Sequence, residues 1–301
     1  MNNVIKRLVL MLIIVYAPSA MAKLNVFACE PEWGALAQEL GGNALNIYTA
    51  TTGKQDSHHI QARPSLFAKV RRADLLICTG AELEIGWLPL LLRKTGNGRI
   101  QPGQPGYFMA TDYVRLRDKP RFLDRRGGDI HADGNPHIQT DPHNIARVAK
   151  VLAQRLVELD ASNAAHYQKR YRDFSNRWQI AIQRWEKEAE VLKGLSIVVH
   201  HKSWIYLEHW LGLKEIATLE PKPGIPASSR HLADVLNQLR HRPAKMVIYA
   251  AYQDSRPAYW LSQKAGIPAV VLPFTVGGTT EARDLFTLFD DTLKRLRDAI
   301  K

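Results

Sequence analysis

Short apolar runs alternate along the first part of the chain with segments in which apolar residues recur every three or four positions. The short runs have the length of buried strands, and the periodic segments have the spacing of amphipathic helices. The predicted elements here are strands at 24–28, 45–49 and 74–79, and helices at 31–41 and 65–72. Residues 96–136 are rich in Gly, Pro and charge, which predicts irregular structure with one short strand near Tyr113. Strands that alternate with helices predict an α/β fold with a mostly parallel sheet.

The longest periodic element lies in the middle of the chain. Apolar residues, among them Tyr167, Phe174, Trp178 and Trp185, recur at steps of three and four over residues 162–192. At 1.5 Å per residue this is roughly 45 Å of helix with one apolar face. A coiled-coil seam has similar spacing, but the aromatic-rich face also fits a rigid helix that lies across two lobes.

The alternation of strand and helix begins again after this helix. Strands are predicted at 196–199, 245–250 and 269–272, with helices between them and a last helix at 284–300. The sequence therefore predicts two α/β lobes joined by one long, rigid helix. The predicted divisions are a leader at 1–22, an N-terminal lobe at 23–161, a linking helix at 162–193 and a C-terminal lobe at 194–301.

The first 22 residues have the organisation of a secretory signal. Lys6 and Arg7 precede a short apolar stretch, and small residues lead up to a predicted cleavage after Ala22. The apolar stretch is too short to span a membrane, and no cysteine follows it to carry a lipid anchor. We expect an exported, periplasmic protein.

The net charge is strongly positive, at +12, and falls to +10 when Lys6 and Arg7 are removed with the leader. Such a charge can indicate nucleic-acid binding, but the basic residues are spread along the chain in short clusters. A solvated basic surface explains them, and no nucleic-acid partner is expected. Cys29 and Cys78 are the two cysteines. In an oxidising compartment they predict one disulfide, with two buried free thiols or thiolate ligation as open alternatives.

Histidines provide the candidate chemistry. His58 and His59 follow the second strand, His137 precedes a helix, and His200 and His201 follow the first strand of the second half. Ligands bind beyond the carboxyl ends of strands in open α/β sheets, so these loops are expected to converge in a cleft. Three neutral imidazoles suit Zn²⁺ at about 2.0–2.1 Å, with a fourth position for water or a carboxylate.

Three short motifs, in order along nearly the whole mature chain, resemble those of a known family. Asp56-Ser57-His58 with Arg63-Pro64-Ser65 is similar to its Asp-Pro-His motif. Asn135-Pro136-His137-Ile138, followed by Asp141-Pro142-His143-Asn144, is similar to its Asp-Pro-His-Ile-Trp-Leu-Asp-Pro-x-Asn motif. Val199-His200-His201-Lys202-Ser203-Trp204-Ile205-Tyr206 with Leu211-Gly212-Leu213 is similar to its His-x-Ala-Phe-x-Tyr and Gly-Leu motifs. The family is that of the periplasmic solute-binding proteins of zinc and manganese ABC transporters.

The resemblance implies two α/β lobes, one rigid linking helix and a single metal ion in the cleft between the lobes. By motif position the implied ligands are His58, His137 and His201. Their neighbours His59, His143 and His200 fall off the motif positions and are expected to support the site or the fold. The implied partners are the metal ion and an ABC transporter membrane permease, and the protein is expected to be a monomer without enzymatic activity.

The chain departs from the family at several positions. Ser57 replaces the motif proline, Asn135 replaces an acid, and Val276 stands where many members carry an acidic fourth ligand. The long His-rich loop of many zinc members is also missing, and only His131 lies in the corresponding short segment 127–134. Three imidazoles favour zinc over manganese, which prefers more carboxylate ligands. The fourth ligand is then a water or a carboxylate that the sequence does not locate.

Two other functions compete with metal transport. A zinc hydrolase also uses three histidines and a water, but it needs a carboxylate acid or base, and no His-Glu-x-x-His motif occurs. A serine hydrolase is disfavoured because Gly-x-Ser-x-Gly is missing as well. A related two-lobed binder of haem or of a chelated metal would favour Tyr or Arg clusters in place of the histidines.

Overall fold

The computed structural model describes residues 23–120, 128–129 and 131–301, so the predicted leader lies outside the described residues. Within them the chain forms eight strands and nine α-helices. The strands are β1 (Leu24–Ala28), β2 (Leu45–Thr49), β3 (Leu75–Cys78), β4 (Tyr107–Met109), β5 (Ser196–Val199), β6 (Lys214–Thr218), β7 (Met246–Ala250) and β8 (Ala269–Leu272). The helices are α1 (Pro31–Gly41), α2 (Pro64–Arg72), α3 (Leu88–Thr95), α4 (Pro142–Leu159), α5 (Ala164–Ala189), α6 (Ile205–Leu211), α7 (Ser229–His241), α8 (Arg256–Ala265) and α9 (Leu285–Asp298).

The eight strands form two parallel sheets of four, as the alternation of strands and helices predicts. The strand order is β2-β1-β3-β4 in the N-terminal sheet and β6-β5-β7-β8 in the C-terminal sheet. The strand order therefore reverses between β1 and β3 in one sheet and between β5 and β7 in the other. The loops that follow the two strands at such a reversal leave a crevice in which ligands bind.

The long helix α5 links the two lobes and is extended at both ends by short 3₁₀ turns, Ala161–Asn163 and Glu190–Leu192. Its aromatic face is buried, and Trp178 and Trp185 are each fully shielded from solvent. One hydrophobic core runs without interruption from Leu24 in β1, through this face, to Leu296 in α9. The linking helix is thus packed into both lobes over its whole length, which supports the rigidity expected from the sequence.

Three elements differ from the sequence predictions. The short strand expected near Tyr113 is instead β4, and Ala110–Tyr113 is a 3₁₀ turn. The sequence pattern predicts neither helix α3 nor strand β6. Strand β6 is an edge strand with the sequence KEIAT, none of whose residues is fully buried. Edge strands are covered on fewer sides than central ones, so they carry a weak apolar pattern.

Cys29 and Cys78 form a disulfide in the N-terminal lobe, with their Cα atoms 4.8 Å apart. Cys29 directly follows β1 and Cys78 ends β3, and these two strands are parallel neighbours. Both cysteines are fully buried. This selects one of the three states that the sequence left open. Across the part of the chain that the structure describes, no helix is long and apolar enough to span a bilayer.

Candidate metal centre

His137 lies in the stiff loop that leads into α4. Its backbone N–H donates to the Oδ1 of Asn135 at 3.1 Å, and its carbonyl accepts the Thr140 hydroxyl at 3.0 Å. Asp141 caps α4 by accepting the His143 N–H at 2.8 Å, and Pro142 occupies the first turn. Because both sides of the loop are tied down, the backbone that carries the His137 ring is held in place.

His58 lies in the polar loop after β2, where a carboxylate orients its ring. The Oδ1 of Asp56 lies 2.7 Å from Nδ1 of His58 and also accepts the His58 backbone N–H at 3.0 Å. Burial by itself raises the pKa of Asp56, but its hydrogen bonds and charge interaction with His58 lower the pKa overall. An ionised carboxylate can only accept, so Nδ1 of His58 donates to Asp56, and Nε2 is the ring nitrogen that lies toward His131.

His201 follows β5 and brings the C-terminal lobe to the same place. Its Nδ1 lies 2.7 Å from the Oε2 of Glu220, which also accepts the Gly224 N–H at 2.8 Å. Glu220 follows β6, the neighbouring strand. The two lobes therefore each supply one imidazole whose Nδ1 is held by a carboxylate, an arrangement common among zinc-binding histidines.

His131, which no sequence motif predicts as a ligand, joins these three imidazoles. Its Nε2 lies 3.2 Å from Nε2 of His58. Two nitrogens bound to one tetrahedral Zn²⁺ at 2.0–2.1 Å are about 3.3 Å apart, so this spacing matches two corners of such a site. The sequence offers one signal for this role, which is that His131 is the one histidine in the short segment 127–134, where many members of the family have a His-rich loop.

The four imidazoles form one cluster. The ring centre of His58 lies 5.2 Å from the ring centre of His131, 5.4 Å from that of His137 and 6.1 Å from that of His201. The His137 and His201 ring centres are 5.9 Å apart. Nitrogens of His58, His131 and His137 all lie within 4.8 Å of one another. The structure thus brings together the three sequence-predicted ligands and adds a fourth nitrogen donor.

Burial keeps two of these imidazoles in the neutral form that a metal ion requires. It lowers the pKa of His131 to about 4, with a further contribution from the charge on His58. It also lowers the pKa of His137, whose side chain is almost fully buried, to well below the usual value. At neutral pH the lone pairs of both rings are therefore available without the loss of a proton.

The remaining three candidate histidines lie around this cluster or away from it. His59 is exposed, with Nε2 3.7 Å from Asp129. His200 is buried, with Nε2 3.8 Å from Glu220, the carboxylate that orients His201. His143 is half-buried between Asp141 and Glu186, and its ring is not in contact with the cluster. His200 therefore lies next to the site, whereas His143 stabilises the start of α4.

The position that many family members fill with an acid is apolar here. Val276 packs against the hydrophobic core. Just before it, Phe274 has a positive φ of 62°, and its ring centre lies 5.4 Å from that of His137. The neighbouring Thr275 hydroxyl donates to Glu32 of the opposite lobe. This loop therefore closes one side of the imidazole cluster with an aromatic ring instead of a ligand.

Comparisons with known proteins relate the chain to metal-binding proteins of transporters. Residues 26–299 match the family model described as zinc-uptake complex component A, periplasmic. The manganese ABC transporter substrate-binding lipoprotein PsaA of Streptococcus anginosus is 22% identical over 87% of this chain and 83% of its own length. The metal ABC transporter substrate-binding lipoprotein SloC of Streptococcus mutans is 20% identical over 85% of this chain and 82% of its own length.

Solved structures share the fold. A crystal structure of ZnuA superposes with a TM-score of 0.76 at 18% identity, and covers 93% of this chain and 100% of its own. A periplasmic metal-binding protein from Candidatus Liberibacter asiaticus superposes with a TM-score of 0.74 at 19% identity and the same coverage. Because the family model covers the chain from β1 to the end of α9, the chain belongs to the family of metal-binding substrate-binding proteins of ABC transporters.

Proposed function

We propose that this protein captures Zn²⁺ between its two lobes through His58, His131, His137 and His201, and delivers it to an ABC importer. The observation that carries the proposal is the cluster of four imidazoles, in which two Nε2 atoms already have the spacing of a tetrahedral zinc site. The carboxylates of Asp56 and Glu220 bind Nδ1 of His58 and of His201, respectively, and orient these rings. The ion is the cargo of the protein.

The choice of zinc over manganese rests on the chemistry of the donors. Imidazole nitrogen suits Zn²⁺, whereas Mn²⁺ prefers carboxylate, carbonyl and water oxygens. Val276 removes the acid that many members place beside the site. The lipoproteins PsaA and SloC are named for manganese and for metal in general, so the metal must be measured for this chain itself.

A zinc hydrolase is the competing function, and it needs a free carboxylate beside the metal to act as acid or base. Asp56 and Glu220 contact two of the clustered imidazoles, and each is engaged by a ring nitrogen at 2.7 Å. Both therefore orient ligands, which supports capture of the ion.

The remaining parts of the proposal concern the whole protein. The leader is cleaved after Ala22, and the mature chain acts in the periplasm as a monomer that docks on a membrane permease. Its lobes are residues 23–161 and 194–301, with 162–193 as the link between them. The uninterrupted core along α5 supports small lobe movements when the ion binds.

The test combines metal content with calorimetry. The exported protein is purified without chelators, and its bound metals are measured by mass spectrometry. The metal-free protein is then titrated with ZnCl₂ and with MnCl₂. We expect bound zinc and tighter binding of Zn²⁺ than of Mn²⁺. Tighter binding of Mn²⁺ would overturn the choice of metal.

The His131→Ala variant tests the fourth ligand, with His143→Ala as the matched control because His143 lies outside the cluster. We expect weaker Zn²⁺ binding only in His131→Ala. If that variant binds Zn²⁺ as the wild type does, the site has three imidazoles and a water. If none of the four cluster variants differs from wild type, the metal centre is not at this position.

A further inference from the structure

A large cavity, of about 970 Å³, opens between the lobes and is separate from the imidazole cluster. Its walls come from residues 113–118 and 141–147 of the N-terminal half, from Glu186 of α5, and from residues 205–210 of the C-terminal half. None of the four clustered imidazoles lines it. We call it the arginine cleft, after three arginines in its walls, Arg115, Arg117 and Arg147.

The carboxylates in the arginine cleft are already paired with other cations. Asp118 binds the Lys202 ammonium at 2.9 Å. Asp141 and Glu186 lie 3.0 Å and 3.2 Å from the two ring nitrogens of His143. The hydrogen bond with Asp141 raises the pKa of His143, which favours its charged form. Lys202 and His143 together therefore offset two of these three negative charges without using any of the arginines.

The arginines, by contrast, lack acidic partners among the described residues. Arg147 donates to the amide oxygen of Asn144 at 2.9 Å, which leaves its charge uncompensated. Among those same residues, the Arg115 and Arg117 guanidinium groups make no ion pair within 4.0 Å. Three guanidinium groups line the cavity, and they outnumber the one acidic charge that Lys202 and His143 leave uncompensated. The cleft is therefore a site of positive potential.

The rest of the wall is partly apolar and is fixed in position. Tyr113, Ile205 and Trp210 contribute ring and aliphatic surface, and all three are only partly buried. Tyr206 ties the lobes together at the cleft, since its hydroxyl donates to the Asn135 carbonyl at 2.7 Å and accepts the Arg117 N–H at 3.0 Å. A volume of this size lies within the range of small-molecule sites, at about 300–1,000 Å³.

We infer that the arginine cleft binds a small organic anion that carries carboxylate or phosphate groups on a planar or apolar body. The guanidinium group is planar and presents paired N–H donors, which match the two oxygens of a carboxylate or phosphate. The aromatic and aliphatic wall accepts the body of the same molecule. Such a ligand contacts both lobes and the linking helix, so it binds only when they are assembled as in this fold.

Two probes distinguish a carboxylate ligand from a phosphate ligand: benzene-1,3,5-tricarboxylate carries carboxylates, and adenosine 5′-monophosphate carries a phosphate. The full mature chain is freed of metal by dialysis, so that neither probe binds through a metal ion, and is titrated calorimetrically in low-salt buffer. Inorganic phosphate is the control for simple charge. We expect at least one organic probe to bind with a dissociation constant below about 1 mM and more tightly than inorganic phosphate.

The location is tested with the double variant Arg115→Gln/Arg147→Gln, which changes two exposed side chains. Loss of charge-assisted hydrogen bonds should weaken probe binding by about tenfold or more. The matched control is Arg230→Gln/Arg240→Gln, two exposed arginines of α7 outside the cleft. Zinc titration of both variants should match wild type, which shows that the fold and the imidazole cluster are intact.

Three results would overturn the inference. The first is that neither organic probe binds. The second is that inorganic phosphate binds as tightly as both of them, which would leave the apolar wall without a role. The third is equal weakening in the cleft variant and the α7 variant, which would assign binding to overall charge.

Discussion

The two lobes have the same strand order and yet contribute unequally to the metal centre. The N-terminal lobe supplies His58, His131 and His137, whose nitrogens lie within 4.8 Å of one another. The C-terminal lobe supplies His201, oriented by Glu220. The N-terminal lobe therefore holds a nearly complete site by itself, and the C-terminal lobe closes it.

The lobes also differ in how their interiors are stabilised. The N-terminal lobe contains the Cys29–Cys78 disulfide and, beside it, the buried carboxyl groups of Glu30 and Glu84. The C-terminal lobe has no cysteine. The same strand order thus supports different side chains in the two lobes, because the residues that follow the strands lie in loops outside the core.

The largest expected effect is on zinc affinity, and it differs between the imidazoles of the N-terminal lobe and the imidazole of the C-terminal lobe. Apparent zinc-binding free energies of about 10–16 kcal/mol, divided among four ligands, are about 2.5–4 kcal/mol each, or roughly 70- to 1,000-fold in affinity. We expect His137→Ala to lose affinity at the upper end of this range and His201→Ala at the lower end, since His201→Ala leaves the compact N-terminal set intact. Competition titrations with a zinc chelator measure both. A larger loss in His201→Ala would contradict the asymmetry.

The disulfide should stabilise the protein through the N-terminal lobe. It closes a loop with a sequence separation of 49 residues. Removing this constraint from the unfolded chain costs about 4 kcal/mol in the free energy of unfolding by the loop-entropy model. Urea denaturation of Cys29→Ser/Cys78→Ser should show this loss. A reducing agent should lower the stability of wild type but not of the double variant, and equal responses would argue that the thiols are free.

A buried carboxyl group should make the stability of the N-terminal lobe depend on pH. Burial raises the pKa of Glu32 from its ordinary 4.5 to about 7. The folded state then binds its proton more tightly than the unfolded state, so this contribution is complete below pH 4.5 and is lost as the pH rises through 7. Relative to wild type, Glu32→Gln should be more stable at pH 8 than at pH 5, by on the order of 3 kcal/mol.

Urea denaturation of the metal-free proteins at the two pH values measures this difference. Glu190→Gln, at an exposed carboxylate, controls for the substitution itself. If the difference between Glu32→Gln and wild type is the same at pH 5 and pH 8, Glu32 does not titrate in this range.

The smallest expected effect compares the two orienting carboxylates, Asp56 in one lobe and Glu220 in the other. Each lies 2.7 Å from the Nδ1 of a clustered imidazole. Replacing such a partner commonly weakens metal binding by about 10- to 100-fold. We expect Asp56→Asn and Glu220→Gln to fall in this range in zinc titrations. An effect as large as that of His137→Ala would mean that the carboxylate itself is a ligand.

Local sequence patterns predicted most of the fold. The spacing of apolar residues predicted six of the eight strands, most helices and the linking helix, because each of these elements buries apolar residues at regular positions. The same local signals placed His58, His137 and His201 after strand ends or before a helix, where α/β folds build their sites. The pattern does not predict strand β6, because an edge strand has no strong apolar pattern.

The tertiary structure decided what depends on contacts distant in sequence. His131 has no motif around it, and only the folded chain places its Nε2 3.2 Å from His58, 73 residues away. The hydrogen bond between Glu32 and Thr275 spans 243 residues, and the arginine cleft combines both lobes and α5. The sequence by itself determined which local elements form and which side chains follow them. The packing of two lobes on one helix decided which of those side chains meet, because that packing is fixed by burial over the whole core and not by any single segment.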